Sequence, residues 1–255
     1  MVVILYQIFL ITFSLFLLAS GVSLKDGYRN DKISKSIYEK YQVTIYRDTW
    51  GVPHIFGEKD EDTAYGLGYA HSEDDFKTIQ NILIAARGNL AEYHGRSAAA
   101  NDYMVEMLKI WDIVEKNYES LPDDVIKISE AYADGINHYA NLYPENVYKG
   151  ILPVKGKDIV AGFIHRMPLM FGLDGVLTKV LAGPKKLPEK DNSTSDSNIQ
   201  NHEMLGSNVV AISPSRSDDK FTRILINSHQ PWTGPVAWYE AHLHSNEGWN
   251  MVGGL

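Results

Sequence analysis

The chain has 255 residues, 44% hydrophobic and 22% charged, an ordinary balance for a globular protein with room for a sizeable core. A formal net charge of -8 argues against a nucleic-acid or anionic-membrane surface, and no basic patch stands out. The absence of cysteine excludes disulfides, thiolate catalysis and cysteine-ligated metals, while leaving the compartment open.

Met1 to Ala19 is almost entirely apolar, and Ala19-Ser20-Gly21 supplies small residues at the spacing a signal peptidase requires. Residues 1–21 read as a signal peptide, although the usual basic n-region is absent. The competing reading is an uncleaved anchor, since ~20 apolar residues can span a bilayer. Removal of the signal would leave a periplasmic or secreted protein with no stable membrane span. Leu24 to Lys40 is a polar lead-in. Val43-Thr44-Ile45-Tyr46 alternates as a strand, and Gly51 and Pro53 then impose a tight turn. His54, between Pro53 and Ile55, reads as a structural histidine rather than a ligand.

Gly66 and Gly68, set among aromatics, imply close packing of backbones, whereas Gly66-Leu67-Gly68 alone is too weak a pattern for a phosphate cradle. Ser72 is expected to cap a helix, with Asp74 and Asp75 at the positive end of its dipole. Phe76, Ile79, Leu83, Ala86 and Leu90 follow at helical spacing. Glu73-Asp74-Asp75 resembles a metal-binding acidic cluster, but its place in a first helical turn favours capping. A second amphipathic helix is expected over Met104 to Asn117. A third begins at Ser120, with Pro122 in its first turn and Val125, Ile128, Tyr132, Ile136 and Tyr139 on one face. A fourth runs from Lys157 to roughly Val180; its Phe163, Met167, Leu169, Met170 and Phe171 fit a core, and would also suit the wall of a pocket for an apolar ligand.

Gly183 to Glu203 is rich in Ser, Asn, Asp and Lys and too polar to order itself by burial, so it reads as a linker. Asn192-Ser193-Thr194 matches a glycosylation sequon, relevant only in a eukaryotic secretory pathway. Immediately afterwards stand Gly206-Ser207 and a hairpin pattern: the β-branched runs Val209 to Ile212 and Arg223 to Asn227 flank the turn-rich Pro214 to Lys220. Ser207 and His229 stand equally far from Asp218, so an antiparallel hairpin centred there would set them side by side. If the Gly206–Ser207 bond cleaves itself, Ser207 acquires an α-amine of unperturbed pKa near ~8 as its own base. On spacing alone, an ordinary surface turn is the better explanation, because Gly-Ser-Asn is common in loops. Val236 to His244 alternates strictly, with Ala237, Tyr239, Ala241 and Leu243 on one face. His242 and His244 lie on the other face; without a third ligand at recognisable spacing they read as surface histidines.

Several blocks, in order, resemble the penicillin acylase family of N-terminal nucleophile hydrolases. They are Arg47 to Ile55, Tyr65 to His71, Arg87 to Glu92, Gly206-Ser207-Asn208 and Asn227 to Trp232. The resemblance implies an α+β fold, a four-layer αββα sandwich, here incomplete. It divides the chain into a mostly helical α-chain-like region, 22–182, a spacer, 183–206, and the start of a β chain, 207–255. It implies a precursor that cuts itself at Gly206–Ser207 into α and β chains. Ser207 is then the nucleophile, His229 lies beside it, and Gln230 and Trp232 contact the substrate. A His at 229 rather than Gln points to the branch acting on acyl-homoserine lactones and related lipid amides. The implied reaction is hydrolysis of a linear, non-peptide amide in a small-molecule N-acyl substrate, without a cofactor. A family-type calcium would need ligands beyond Leu255, as would the oxyanion-hole asparagine and a second backbone donor. Losing one oxyanion donor costs roughly 10²–10³ in rate, so the expectation is a chain inactive by itself or belonging to a longer precursor. The rival readings are a β-lactam acylase, a non-catalytic remnant that binds acyl ligands or a partner chain, and an envelope-anchored interaction protein.

Overall fold

In the computed structural model the described residues are 29–31, 40–170, 172–181, 206–234 and 236–254. The expected signal segment and spacer therefore lie outside them, Gly206 apart. Strand β2, Val43–Arg47, is the strand the alternating sequence predicts, and β3, Pro53–Gly57, returns beside it. In the turn between them Gly51 takes a φ of 87°, a conformation open chiefly to glycine. Asp48 Oδ1 closes that turn by accepting the Trp50 and Val52 amides at 2.8 and 3.0 Å. A short strand within the polar lead-in, β1, Arg29–Asp31, pairs with the outer edge of β2.

On the other side, β3 pairs in parallel with β6, Glu240–Ser245, which pairs in turn with β7, Asn250–Gly254. The sheet order is β1-β2-β3-β6-β7. Period-two alternation buries Ile45, Ile55, Ala241 and Leu243 on one face. His54, Phe56, His242 and His244 stand on the opposite face. The alternation read at Ala241 and Leu243 is thus the core face of β6.

Helices cover the buried face. Helix α1, Asp60–Ala86, begins well before the expected Ser72 start and runs through both Gly66 and Gly68. Glycine weakens a helix by about 1 kcal/mol relative to alanine, and here the packing requires it. A Cβ on Gly68 would lie 2.2 Å from the Tyr132 carbonyl oxygen, and one on Gly135 would lie 2.2 Å from that of Tyr65. Both contacts join α1 to α5, Asp123–Leu142, which cross backbone against backbone. The close packing expected of the two glycines is therefore present, inside a helix. A break occurs at Asp75 (φ -148°, ψ 55°), whose Oδ1 accepts the Thr78 amide at 3.2 Å. Asp75 caps the second half of α1; Ser72, which the sequence put in that role, is buried and donates its hydroxyl to the Gly68 carbonyl at 2.7 Å.

Phe76, Ile79, Leu83 and Ile84 of α1 meet Ala133, Ile136 and Ala140 of α5 in the main core cluster. A short helix α2, Leu90–His94, follows α1. The single helix expected over Met104 to Asn117 is two, α3, Ala99–Met107, and α4, Ile110–Asn117, divided at Lys109 with a φ of 52°. The apolar helix from Lys157 is likewise two, α6, Gly156–Met170, and α7, Leu173–Leu181, parted by Gly172 at a φ of 71°. Strands β4, Ser207–Ile212, and β5, Arg223–Ser228, form a separate two-stranded hairpin. The class is α+β: among the described residues, one helical layer backs one mixed sheet, and the hairpin stands outside it.

Candidate functional site

The β4–β5 hairpin carries the Gly206–Ser207 bond at its open end. The register pairs Ser207 with Ser228 and Asn208 with Asn227. That is one residue away from the Ser207–His229 pairing expected from matched sequence distance. The reason is parity: Ser213 to Thr222 connects the strands with an even number of residues, so the midpoint falls between Ser217 and Asp218 rather than on Asp218. The connection is held by a 3₁₀ turn at Pro214–Arg216 and by Asp219, whose carboxylate receives the Arg223 guanidinium and the Ser217 hydroxyl.

This register decides what His229 does. Its backbone N–H donates to the Gly206 carbonyl oxygen at 2.9 Å. Its ring, with Asn208, takes the face of the hairpin opposite Ser207; Asn208 Nδ2 lies 3.3 Å from His229 Nε2. With the Asn208 amide as donor, Nε2 is the acceptor and the ring proton sits on Nδ1. The nearness of His229 to the Gly206–Ser207 bond is thus a main-chain contact. Ser207 and His229 are both exposed. Gln230 Oε1 is buried without a hydrogen-bond partner among the described residues, and Trp232 is 98% exposed.

The acidic run on α1 answers other groups. Arg47 reaches Glu73 at 2.9 Å and Asp74 at 2.8 Å, and the Tyr239 hydroxyl donates to Asp74. Burial and the Asp74 carboxylate push the Tyr239 phenol up, so it stays protonated. Glu73-Asp74-Asp75 is accordingly two ion-pair partners and a cap. Among the described residues no group of three or more His, Asp or Glu side chains converges as a metal ion would require.

Sequence reasoning missed one contact. His54 Nδ1 and His242 Nδ1 lie 3.0 Å apart across the parallel β3–β6 pair, and the Asp48 carboxylate stands 3.7 Å from His54 Nε2. Alternation placed His242 on the correct face; only the pairing of β6 with β3 could reveal its neighbour. His244, two residues on, packs against Phe56 instead.

A family model described as penicillin amidase matches residues 42–255. The acyl-homoserine lactone acylase PvdQ of Pseudomonas fluorescens is 26% identical over 222 residues, which are 78% of this chain and 28% of that protein. The penicillin acylase 2 proenzyme of a Pseudomonas species is 30% identical over 111 residues, covering 43% of this chain and 14% of its own. A thermostable penicillin G acylase structure from Alcaligenes faecalis aligns at 20% identity with a TM-score of 0.45, over 60% of this chain and 98% of that one. The chain spans less than a third of the length of the two curated relatives.

Proposed function

The chain belongs to the penicillin amidase family, and on that premise we propose that Ser207 is the nucleophile of an N-terminal serine acylase, exposed by self-cleavage at Gly206–Ser207. In the cleavage step Ser207 Oγ attacks the Gly206 carbonyl carbon. The carbon–nitrogen bond breaks, the hydroxyl proton ends on the departing Ser207 nitrogen, and an ester remains that water hydrolyses. The observation that carries this reading is the His229 N–H held 2.9 Å from the Gly206 oxygen. Negative charge develops on that oxygen during the attack, and a donor already in place stabilises it without reorganisation.

Once Gly206 has left, the same N–H is free to polarise a substrate carbonyl, and the Ser207 α-amine becomes the local base. The substrate class is a linear, non-peptide amide of an N-acyl compound such as an acyl-homoserine lactone. The partnerless Gln230 Oε1 would accept the substrate amide N–H, and Trp232 would offer its ring to the acyl chain. None of these steps calls on a metal or cofactor. The apolar run Met1 to Ala19 supports export, putting the reaction in the periplasm or outside the cell.

Intact-mass analysis of the purified chain tests the proposal. Two fragments with a new N-terminus at Ser207 are expected, and a single uncut mass from the Ser207→Ala chain. An uncut unmodified chain, or cleavage that persists in Ser207→Ala, would overturn it.

A further inference from the structure

Between the helices and the buried face of the sheet lies a cavity of about 510 Å³. Its walls are apolar: Ile79 and Leu83 of α1, Ile136 of α5, Phe163 of α6, and Trp249 and Met251 from the β6–β7 side. That volume and lining are those of a small-molecule site, for which roughly 300–1,000 Å³ and a few placed polar groups are usual. No residue between 206 and 232 lines it, so it is separate from the Gly206–Ser207 region.

Among the described residues, one cation faces this space. Arg166 on α6 lines the cavity and is partly buried, yet it has neither an ion pair nor a hydrogen bond to any described residue. Burial in these apolar surroundings lowers its pKa from the ordinary arginine value. The other polar groups around it do not neutralise it. Asp158 is engaged by Arg87 Nε at 2.7 Å and the Lys155 amide at 2.8 Å. His71 and the Tyr132 hydroxyl bond to each other at 2.8 Å, and burial holds His71 down to about 4, so it is uncharged at neutral pH. A guanidinium partly withdrawn from water, with no counter-ion among the described residues, is costly to hold, and the group that relieves it most completely is a carboxylate, bound two-pronged.

We propose that this cavity binds a linear aliphatic monocarboxylate, with its tail among the apolar walls and its carboxylate on the Arg166 guanidinium. Both halves of the ligand follow from the site: the walls select an apolar chain, and the single unpaired cation selects one anionic end.

Titration of the purified full chain with dodecanoate below its micellar concentration tests this, read by calorimetry and by tryptophan fluorescence, since Trp238 and Trp249 line the cavity. Saturable binding is expected, tightening roughly three- to fourfold per added methylene between octanoate and dodecanoate. Arg166→Met should weaken dodecanoate about tenfold or more while leaving dodecanol binding unchanged, and Arg166→Lys should recover part of the loss. Gly162→Leu should block both ligands with the charge intact; a Cβ there meets only Ile82 Cγ2, at 3.9 Å, so the helix accepts it. Absence of saturable binding, equal affinity for dodecanoate and dodecanol, or undiminished dodecanoate affinity in a folded Arg166→Met chain would each overturn the proposal. Undiminished dodecanoate affinity in Gly162→Leu would also overturn it, because the tail would then lie elsewhere.

Discussion

Arg87 follows directly on α1 and turns its side chain back into the protein. Its Nε meets Asp158, 4% exposed, at 2.7 Å, and its Nη1 donates to the Ile151 carbonyl at 2.7 Å. Removing the cation leaves the buried Asp158 carboxylate with the Lys155 amide but no opposite charge, so Arg87→Met is expected to lower unfolding free energy by roughly 3 kcal/mol. Urea denaturation measures it, and a change below about 1 kcal/mol would show that Asp158 finds another partner. Arg87 stood in one of the family-like blocks, and nothing local to it in the sequence pointed to Asp158, 71 residues away. His229 shows the same limit from the other side. Its residue type and its neighbourhood with Gly206–Ser207 were legible, whereas which of its atoms faces that bond depended on a register one residue from the symmetric one. In a strand, one residue exchanges the two faces.

Among the elements, the α1–α5 crossing makes the sharpest demand on sequence. Gly68 and Gly135 each admit the other helix's backbone, and a methyl group on Gly135 would sit 2.2 Å from the Tyr65 carbonyl oxygen and 2.7 Å from the Tyr69 amide nitrogen. Neither obstacle is a side chain that can swing aside. Gly135→Ala is therefore expected to cost about 3 kcal/mol or more, despite alanine's higher helix propensity. A thermal melt of that variant at or above the unmodified protein's midpoint would contradict the packing. Asp75→Ala probes the break in α1: losing the bond to the Thr78 amide should cost about 1 kcal/mol. Periodicity found the apolar stripe Phe76, Ile79, Leu83 and Ala86, all buried, because a stripe is a property of neighbouring turns. Helix limits were less legible: glycines that normally mark an end sit here within a helix, and Lys109 and Gly172 interrupt patterns that read as continuous.

For the whole molecule, the sheet joins the two sides of the Gly206–Ser207 bond. Parallel pairing of β3 with β6, backed by Ile55 and Leu243 and by the Asp74–Tyr239 hydrogen bond, crosses that bond. If self-cleavage occurs, the two fragments are expected to co-elute under native conditions and separate only in denaturant; separation by native gel filtration would contradict this. Stability should also depend on acidity. Burial holds His71 and His165 down to about 4, below the ordinary 6.5. The unfolded chain therefore binds these protons first, and folding stability declines as pH falls from about 6.5 towards 4, with no contribution from this pair above that window. The melting temperature is expected to drop between pH 7 and pH 4.5, with a smaller drop in a folded His71→Gln chain. A flat profile would exclude the linkage.

The blocks that carry family membership, the strand alternation at Ala241 and Leu243, the turn at Gly51 and the apolar stripe of α1 were all determined by the sequence alone. Each rests on residues close together in the chain, where propensity and periodicity act. The Ser207–Ser228 register, the His54–His242 contact, the parallel β3–β6 pairing and the isolation of Arg166 in an apolar cavity were decided by the tertiary structure. Each depends on which distant segments meet, and that is set by burial of whole faces and by the parity and closure of connections rather than by any local pattern.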